Sequence, residues 1–202
     1  MQRMKNLNLL LPAIFAMINL GCNQTADMKS LPTRSSDGNY NAVIEIPAGT
    51  NRKIEYDTHS KAFKTDQRDG KDRIIGFLSY PANYGFIPST LSDRKKGGDG
   101  DPVDILVICE SQKTGTVLAI NPIAMLKLMD NGEEDFKVLA VPADANLNPI
   151  GVTTLEALKS KHPAILEIIE KWFLSYDTEP ASSLGWANGK ETLNYIRNNT
   201  KK

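Results

Sequence analysis

The sequence predicts a mainly β, α+β domain: a barrel or strongly curved sheet with helices laid against it. Two observations carry this expectation. Short apolar or alternating runs recur at 42–47, 53–56, 103–109, 116–121, 123–129 and 136–142, separated by Gly, Pro, Asn and Asp. Closely spaced short strands of this kind suggest closure or strong curvature. After Pro142 the period changes. Ile165, Leu166, Ile168, Ile169, Trp172, Phe173 and Tyr176 recur at helical spacing, with Glu167, Glu170 and Lys171 elsewhere and Pro163 suited to a first turn. This predicts a helix of about four turns on the sheet, and a shorter one is expected around Glu191 to Arg197.

Among 202 residues, 24 Lys and Arg balance 24 Asp and Glu, and 41% are hydrophobic, enough for one sizeable core. Wholesale disorder is excluded. The charge balance argues against a protein that coats nucleic acid or an anionic membrane, so any anion binding must come from local clusters. Two cysteines form no disulfide framework; Cys109, at the end of an apolar run, reads as a small buried hydrophobe. His59 and His162 lie in no ligand-spaced motif and read as surface residues, so no zinc site is expected.

Residues 1–21 read as an export signal: Arg3 and Lys5, then an apolar stretch over 9–18, then Leu20-Gly21-Cys22. The apolar stretch is too short to span a bilayer, which needs about 20 residues. Gly21-Cys22 resembles the cleavage site of bacterial lipoproteins, which implies lipidation of Cys22. Asn19 and Leu20 depart from that pattern, and ordinary cleavage or an uncleaved cytoplasmic chain are the alternatives. Residues 22–39, polar and without apolar periodicity, read as a flexible tether, and 40–202 as the folded domain.

The densest chemical signal is Asp99-Gly100-Asp101-Pro102-Val103-Asp104, which leads into the apolar run Ile105-Leu106-Val107-Ile108. Three carboxylates so close repel one another unless divalent cations neutralise them, and oxygen-only ligands suit Mg²⁺ or Mn²⁺. A solvated turn is the plainer reading. A helix-loop-helix calcium site does not fit, because Asp104 stands where its glycine belongs and a strand follows.

A second acidic group, Asp130-Asn131-Gly132-Glu133-Glu134-Asp135, precedes Phe136-Lys137, and Asn131-Gly132 signals a hairpin. Taken alone it is an exposed turn; beside the first cluster, Asp130 and Asp135 would add ligands and Lys137 a cation. Glu45 interrupts an apolar run in Val43-Ile44-Glu45-Ile46-Pro47. Lys53-Ile54-Glu55 places a cation and a carboxylate on one strand face, as a salt bridge or as part of a site. Tyr80-Pro81-Ala82-Asn83-Tyr84-Gly85-Phe86 fits core packing as well as ligand contact.

Together these segments resemble the soluble family I inorganic pyrophosphatases, from about Val43 to the final helix. The signature Asp99-Gly100-Asp101-Pro102-Val103-Asp104 carries the resemblance, and the other motifs follow in the family's order. The resemblance implies a five-stranded OB-like closed barrel with flanking helices, and Mg²⁺-dependent hydrolysis of inorganic pyrophosphate to two phosphates. It implies metal ligation by Asp99, Asp104, Asp130 and Asp135, with Glu45 and Glu55 completing the acidic cavity. Asp101 would accept a proton, while Lys53, Arg73, Tyr84, Lys137 and Tyr176 would bind phosphoryl oxygens. Bacterial relatives are commonly hexamers, so a homo-oligomer is one possible state, which the resemblance leaves open; the charge balance supplies no basic groove, so no nucleic-acid partner is expected. Membrane contact is expected only through a lipid on Cys22.

One departure stands out. Where the family has Tyr-Lys this chain has Tyr176-Asp177, so a phosphate-binding cation is replaced by an anion; Arg94-Lys95-Lys96, just before the signature, could compensate by reaching the cavity. Arg73 also lies closer to Tyr80 than in many relatives. A non-catalytic metal- and diphosphate-binding lipoprotein is therefore the alternative function. A phosphatase for organic diphosphates is a third reading, disfavoured by a tight charged cavity.

Overall fold

The computed structural model describes residues 26–177 and 180–201. The expected signal, Cys22 and the first residues of the expected tether lie outside these. The strands are β1 (Tyr40–Ile46), β2 (Ile54–Asp57), β3 (Ala62–Thr65), β4 (Gln67–Arg68), β5 (Lys71–Asp72), β6 (Asn83–Phe86), β7 (Asp104–Val107), β8 (Val117–Asp130), β9 (Glu133–Glu134), β10 (Lys137–Pro142) and β11 (Ala181–Asn188). The helices are α1 (Leu155–Lys161), α2 (Pro163–Phe173) and α3 (Gly189–Asn199). The domain is mainly β, as expected.

The main sheet runs β1-β6-β7-β10-β8-β11, and β1 also pairs with β8. β7 and β10 are parallel; the other neighbours are antiparallel. Following the pairings from β1 through β6, β7, β10 and β8 therefore leads back to β1. The 14-residue length of β8 makes this arrangement work: its first residues pair with β1, its later ones with β11, and β10 lies along its middle.

The two runs expected on either side of Pro122 form this one strand. Proline lacks an N–H, and the ladder accommodates it by a register shift, with Leu139 opposite Ala124 and Ala140 opposite Pro122. Asn131 and Gly132 both take positive φ (47° and 85°), the geometry of the expected hairpin turn between β8 and β9.

Both faces of the central strands are buried, which is why their sequences read as continuous apolar runs. Leu106, Leu139 and Val141 join Leu126, Leu166, Ile169, Trp172 and Phe173 beneath α1 and α2. Their neighbours Ile105, Val107, Val138 and Ala140 join Ile44, Ile120 and Ile196 beneath α3.

Three details differ from expectation. First, α2 stops at Phe173, one turn short, although the Tyr176 N–H still bonds the Trp172 carbonyl at 2.9 Å. Ile168 lies on its outer side, 57% exposed. Secondly, His162 is half-buried, its Nε2 3.2 Å from the Ile150 carbonyl, whereas His59 is exposed as expected.

Thirdly, residues 26–39, most of the expected tether, lie on the domain. Asp27 caps a 3₁₀ turn over Met28–Ser30, and Met28 and Leu31 pack on Val43, Tyr56 and Phe86. The Ser89 N–H bonds the Lys29 carbonyl, and the Asn41 N–H bonds that of Thr33. Two apolar residues in a polar stretch suffice when a neighbouring surface is shaped for them.

Candidate active site

The site begins where β7 starts. Its parallel register sets Lys137 opposite Asp104, and Lys137 Nζ donates to the carboxylates of Asp104 and Asp135. The Tyr84 hydroxyl, from the neighbouring β6, is 3.4 Å from the same nitrogen. Asp99, Asp104 and Asp135 each contribute one oxygen to a group lying within 4.8 Å of one another.

The loop before β7 is held in shape for this. Gly100 has φ of 89°, a left-handed conformation that a residue with a Cβ adopts only with strain, and a Cβ there would also displace the Arg94 side chain, 2.5 Å away at Nε. Backbone bonds from Gly100 N to the Ser92 carbonyl (2.8 Å) and from Ser92 N to the Asp101 carbonyl (2.7 Å) pin the loop. Asp101 N–H donates to Asp99 Oδ1 at 3.0 Å.

Glu45 enters from β1, where the pairing with β6 is irregular between Ile44 and Ile46. Such an irregularity re-aims a side chain. Its Oε1 accepts the Tyr56 N–H at 2.7 Å. Lys53 bonds Glu55 at 2.6 Å, the salt bridge expected from their spacing, and lies 3.8 Å from Asp66.

The phenols rest on α2. Tyr176 stacks on Trp172 with centroids 4.5 Å apart, Trp172 meets Tyr80 at 4.6 Å, and Tyr84 faces Phe173 at 6.3 Å. Asn83, fully buried, is structural: its Oδ1 accepts from Gln112 N (2.7 Å) and Ala48 N (3.2 Å), and its Nδ2 donates to the Glu110 carbonyl (3.1 Å). The Tyr80 to Phe86 segment thus serves packing and site together.

The electrostatics follow from burial. Glu45 is pushed up to about 8 by desolvation, which the Tyr56 N–H only partly opposes, with Asp104 and Glu55 adding to the rise. Asp104 is pushed up to about 6 by burial, with Lys137 opposing and Asp135 reinforcing. Burial also raises Asp99. For Lys137, burial works against the ammonium, but Asp104 and Asp135 outweigh it and hold the group well above its ordinary value. Burial raises the phenols of Tyr84 and Tyr176, so both stay protonated and can donate.

A cavity of about 270 Å³ joins these groups. Glu45, Lys53, Glu55, Arg73, Tyr84, Asp99, Asp101, Asp104, Asp130, Asp135, Lys137 and Tyr176 all line it, so every site residue expected from the sequence is brought together. Arg94, expected as a compensating cation, instead pairs with Glu133 at 3.1 Å in an exposed position and is not part of the lining. Three further charged residues line the cavity: Lys29, Arg68 and Asp177. For Arg68 the local signal was Asp69-Gly70, a hairpin dipeptide; for Lys29 no local signal exists.

Carboxylates able to hold a divalent cation thus face cations and phenols able to hold a phosphoryl anion, the equipment of a metal-using phosphoryl-transfer site. Residues 42–202 match the inorganic pyrophosphatase family. An inorganic pyrophosphatase of Caulobacter vibrioides is 40% identical over 171 residues, 80% of this chain and 88% of the relative. One from Synechocystis is 34% identical over 164 residues, 79% and 89% of the two chains. Among solved structures, the inorganic pyrophosphatase of Neisseria gonorrhoeae superimposes with a TM-score of 0.72 at 32% identity, covering 86% of this chain and 97% of that one. The chain belongs to the inorganic pyrophosphatase family.

Proposed function

We infer that the protein hydrolyses inorganic pyrophosphate to two phosphates with the help of bound divalent cations, Mg²⁺ by preference. The observation that carries this reading is the single cavity in which Asp99, Asp104 and Asp135 oppose Lys53, Arg73 and Lys137. The donor set fits the cofactor: all-oxygen, anionic and close enough for shared ligation, with Asp130, Glu45 and Glu55 on the same wall. When bound, such ions supply Lewis acidity toward water and toward phosphoryl oxygens.

The chain's own residues then have distinct tasks. Lys53, Arg73 and Lys137 offset the charge of the polyanion, and Lys137 keeps its proton because two carboxylates hold it. Tyr84 and Tyr176, kept neutral by burial, donate hydrogen bonds to phosphoryl oxygens. Asp101, its side chain 67% exposed at the cavity, takes the proton of the attacking water. Fixed charges positioned around the cavity do most of the remaining work.

The ring of pairings that returns from β8 to β1 supports reading the sheet as a five-stranded OB-like closed barrel. The charged N-terminus, the apolar stretch and Gly21-Cys22 support export and lipidation, which lipid labelling of the wild type and of Cys22→Ala would test. Assembly into homo-oligomers, hexamers as in bacterial relatives, is testable by light scattering.

The deciding experiment is phosphate release from pyrophosphate by the protein with and without Mg²⁺, beside Asp101→Asn. Mg²⁺-dependent release that collapses in the variant is expected. A folded wild type that binds Mg²⁺ yet releases no more phosphate than the variant would overturn the catalytic reading.

A further inference from the structure

Two guanidinium groups from one small hairpin region converge on one carboxylate in the cavity wall, from a residue more than 100 positions away in sequence. Arg68 ends β4, on a small hairpin whose turn, Asp69-Gly70, has positive φ at both residues (53° and 72°). The hairpin sits between Asp66 and Arg73, and its base is closed by the Arg73 N–H on the Asp66 carbonyl at 2.8 Å. Arg68 Nη1 and Nη2 donate to Asp177 Oδ1 and Oδ2 at 3.0 and 3.1 Å, a two-pronged fit. Arg73 Nη2 donates to the same Oδ2, while its Nη1 lies 3.4 Å from Asp66 Oδ2. The Asp177 side chain is only 16% exposed, and all three residues line the cavity.

This geometry changes what an acid at position 177 does. A lone carboxylate on the wall would repel a polyanion. Bracketed between two arginines, it is offset by their charge and fixes where both guanidinium planes stand. A guanidinium has five N–H donors in a rigid fork, and anchoring one edge of that fork lowers the ordering cost of meeting a second anion.

We propose that Arg68 is a phosphoryl-binding residue of this cavity, and that Asp177 is the positioning residue that presents it beside Arg73. The proposal rests on the cavity being a pyrophosphate site. Arg68 comes from a hairpin far from the acidic signature in sequence, and it supplies the cation that position 177 itself does not.

Initial-rate kinetics on pyrophosphate with Mg²⁺, together with melting curves, test this for wild type, Arg68→Ala, Arg68→Lys, Asp177→Asn and the Arg68→Ala/Asp177→Asn pair. Loss of one charge-assisted contact to phosphate predicts a KM raised about ten- to a hundredfold in Arg68→Ala, with kcat and Tm little changed. Arg68→Lys should recover part of the loss, as a point charge without the fork. Asp177→Asn should raise KM, and by less when Arg68 is already absent, the coupling expected if Asp177 acts through Arg68.

A KM for Arg68→Ala within about twofold of wild type, or a fall in kcat alone, would overturn the proposal and leave Arg68 as a surface ion pair. A wild type that releases no phosphate would instead overturn the underlying reading. Calorimetric binding of imidodiphosphate to wild type and Arg68→Ala would then decide the role of Arg68 separately: a ten- to hundredfold weakening supports it, equal affinity rejects it.

Discussion

Lys29 stands 3.9 Å from Asp101, reaching the cavity from the segment that precedes β1. It lies ahead of residues 42–202, which match the family, so the core domain does not carry this cation itself. The contact depends on the capped turn over Met28–Ser30 and on the bond from Ser89 N–H to the Lys29 carbonyl. Because Asp101 is 67% exposed, the pair has the modest strength of a surface contact. Lys29→Ala is therefore expected to lower kcat/KM by about two- to fivefold, the range of a contact worth under 1 kcal/mol. Initial rates at low and high salt check this, and the difference should shrink as salt rises.

Lys137 is the buried hub of the metal-free site, its side chain 5% exposed between Asp104 and Asp135. Replacing it by Met removes the charge that keeps two carboxylates tolerable in a desolvated place. Breaking a buried pair from one side costs on the order of 3 kcal/mol. The metal-free Lys137→Met protein should accordingly melt well below wild type. Added Mg²⁺ should raise its Tm by more than it raises that of wild type, because the ion then supplies the missing positive charge. Differential scanning calorimetry in chelator and in Mg²⁺ measures both effects.

Gly85, on β6, lies tight against the β1 backbone. A Cβ there would be 1.9 Å from the Val43 carbonyl oxygen and 3.0 Å from Glu45 N, both backbone atoms that cannot swing aside. Gly85→Ala should destabilise the fold by about 3 kcal/mol, the upper part of the usual overpacking range. It should also lower activity in the fraction that folds, since the strands that separate carry Glu45 and Tyr84. Urea unfolding monitored by tryptophan fluorescence, compared with initial rates at the same temperature, checks the two consequences together.

How far the sequence alone reached depended on how local each signal was. The acidic signature could be read because Asp99, Asp101 and Asp104 are neighbours along the chain, and Lys137 because it follows its own acidic turn. β7 and β10 announced themselves by apolar runs, since both of their faces are buried. β6 did not, because Pro81, Asn83 and Gly85 read as turn formers while Asn83 spends its side chain on neighbouring loops. β11, with Ser182, Ser183 and Gly185, is held by its pairing to β8 rather than by its own periodicity. Lys29 and Arg68 reach the cavity through contacts of long sequence separation, 109 residues for Arg68 and Asp177, and no window along the chain holds both partners. The basic run at 94–96 shows the converse: a plausible local signal whose Arg94 pairs with Glu133 outside the cavity.

Cys109 offers a test of burial away from the carboxylates. Its thiol is raised above the ordinary value by burial, which hydrogen bonds from Gln112 and Asn83 only partly oppose; Asn83 Nδ2 is 3.4 Å from Sγ. The reactive species is the thiolate, so alkylation at pH 8 should be slower than for a free cysteine, with its midpoint displaced upward in pH. The sign for stability follows by linkage. Above the ordinary thiol value the unfolded chain loses this proton while the folded chain keeps it, so stability is fully present below that value and falls as pH rises toward the folded one. Iodoacetamide labelling across pH, read by mass spectrometry on the Cys109 peptide, should therefore give a later midpoint in native protein than in protein unfolded by urea. Coincident midpoints would show that Cys109 is solvated in the folded state.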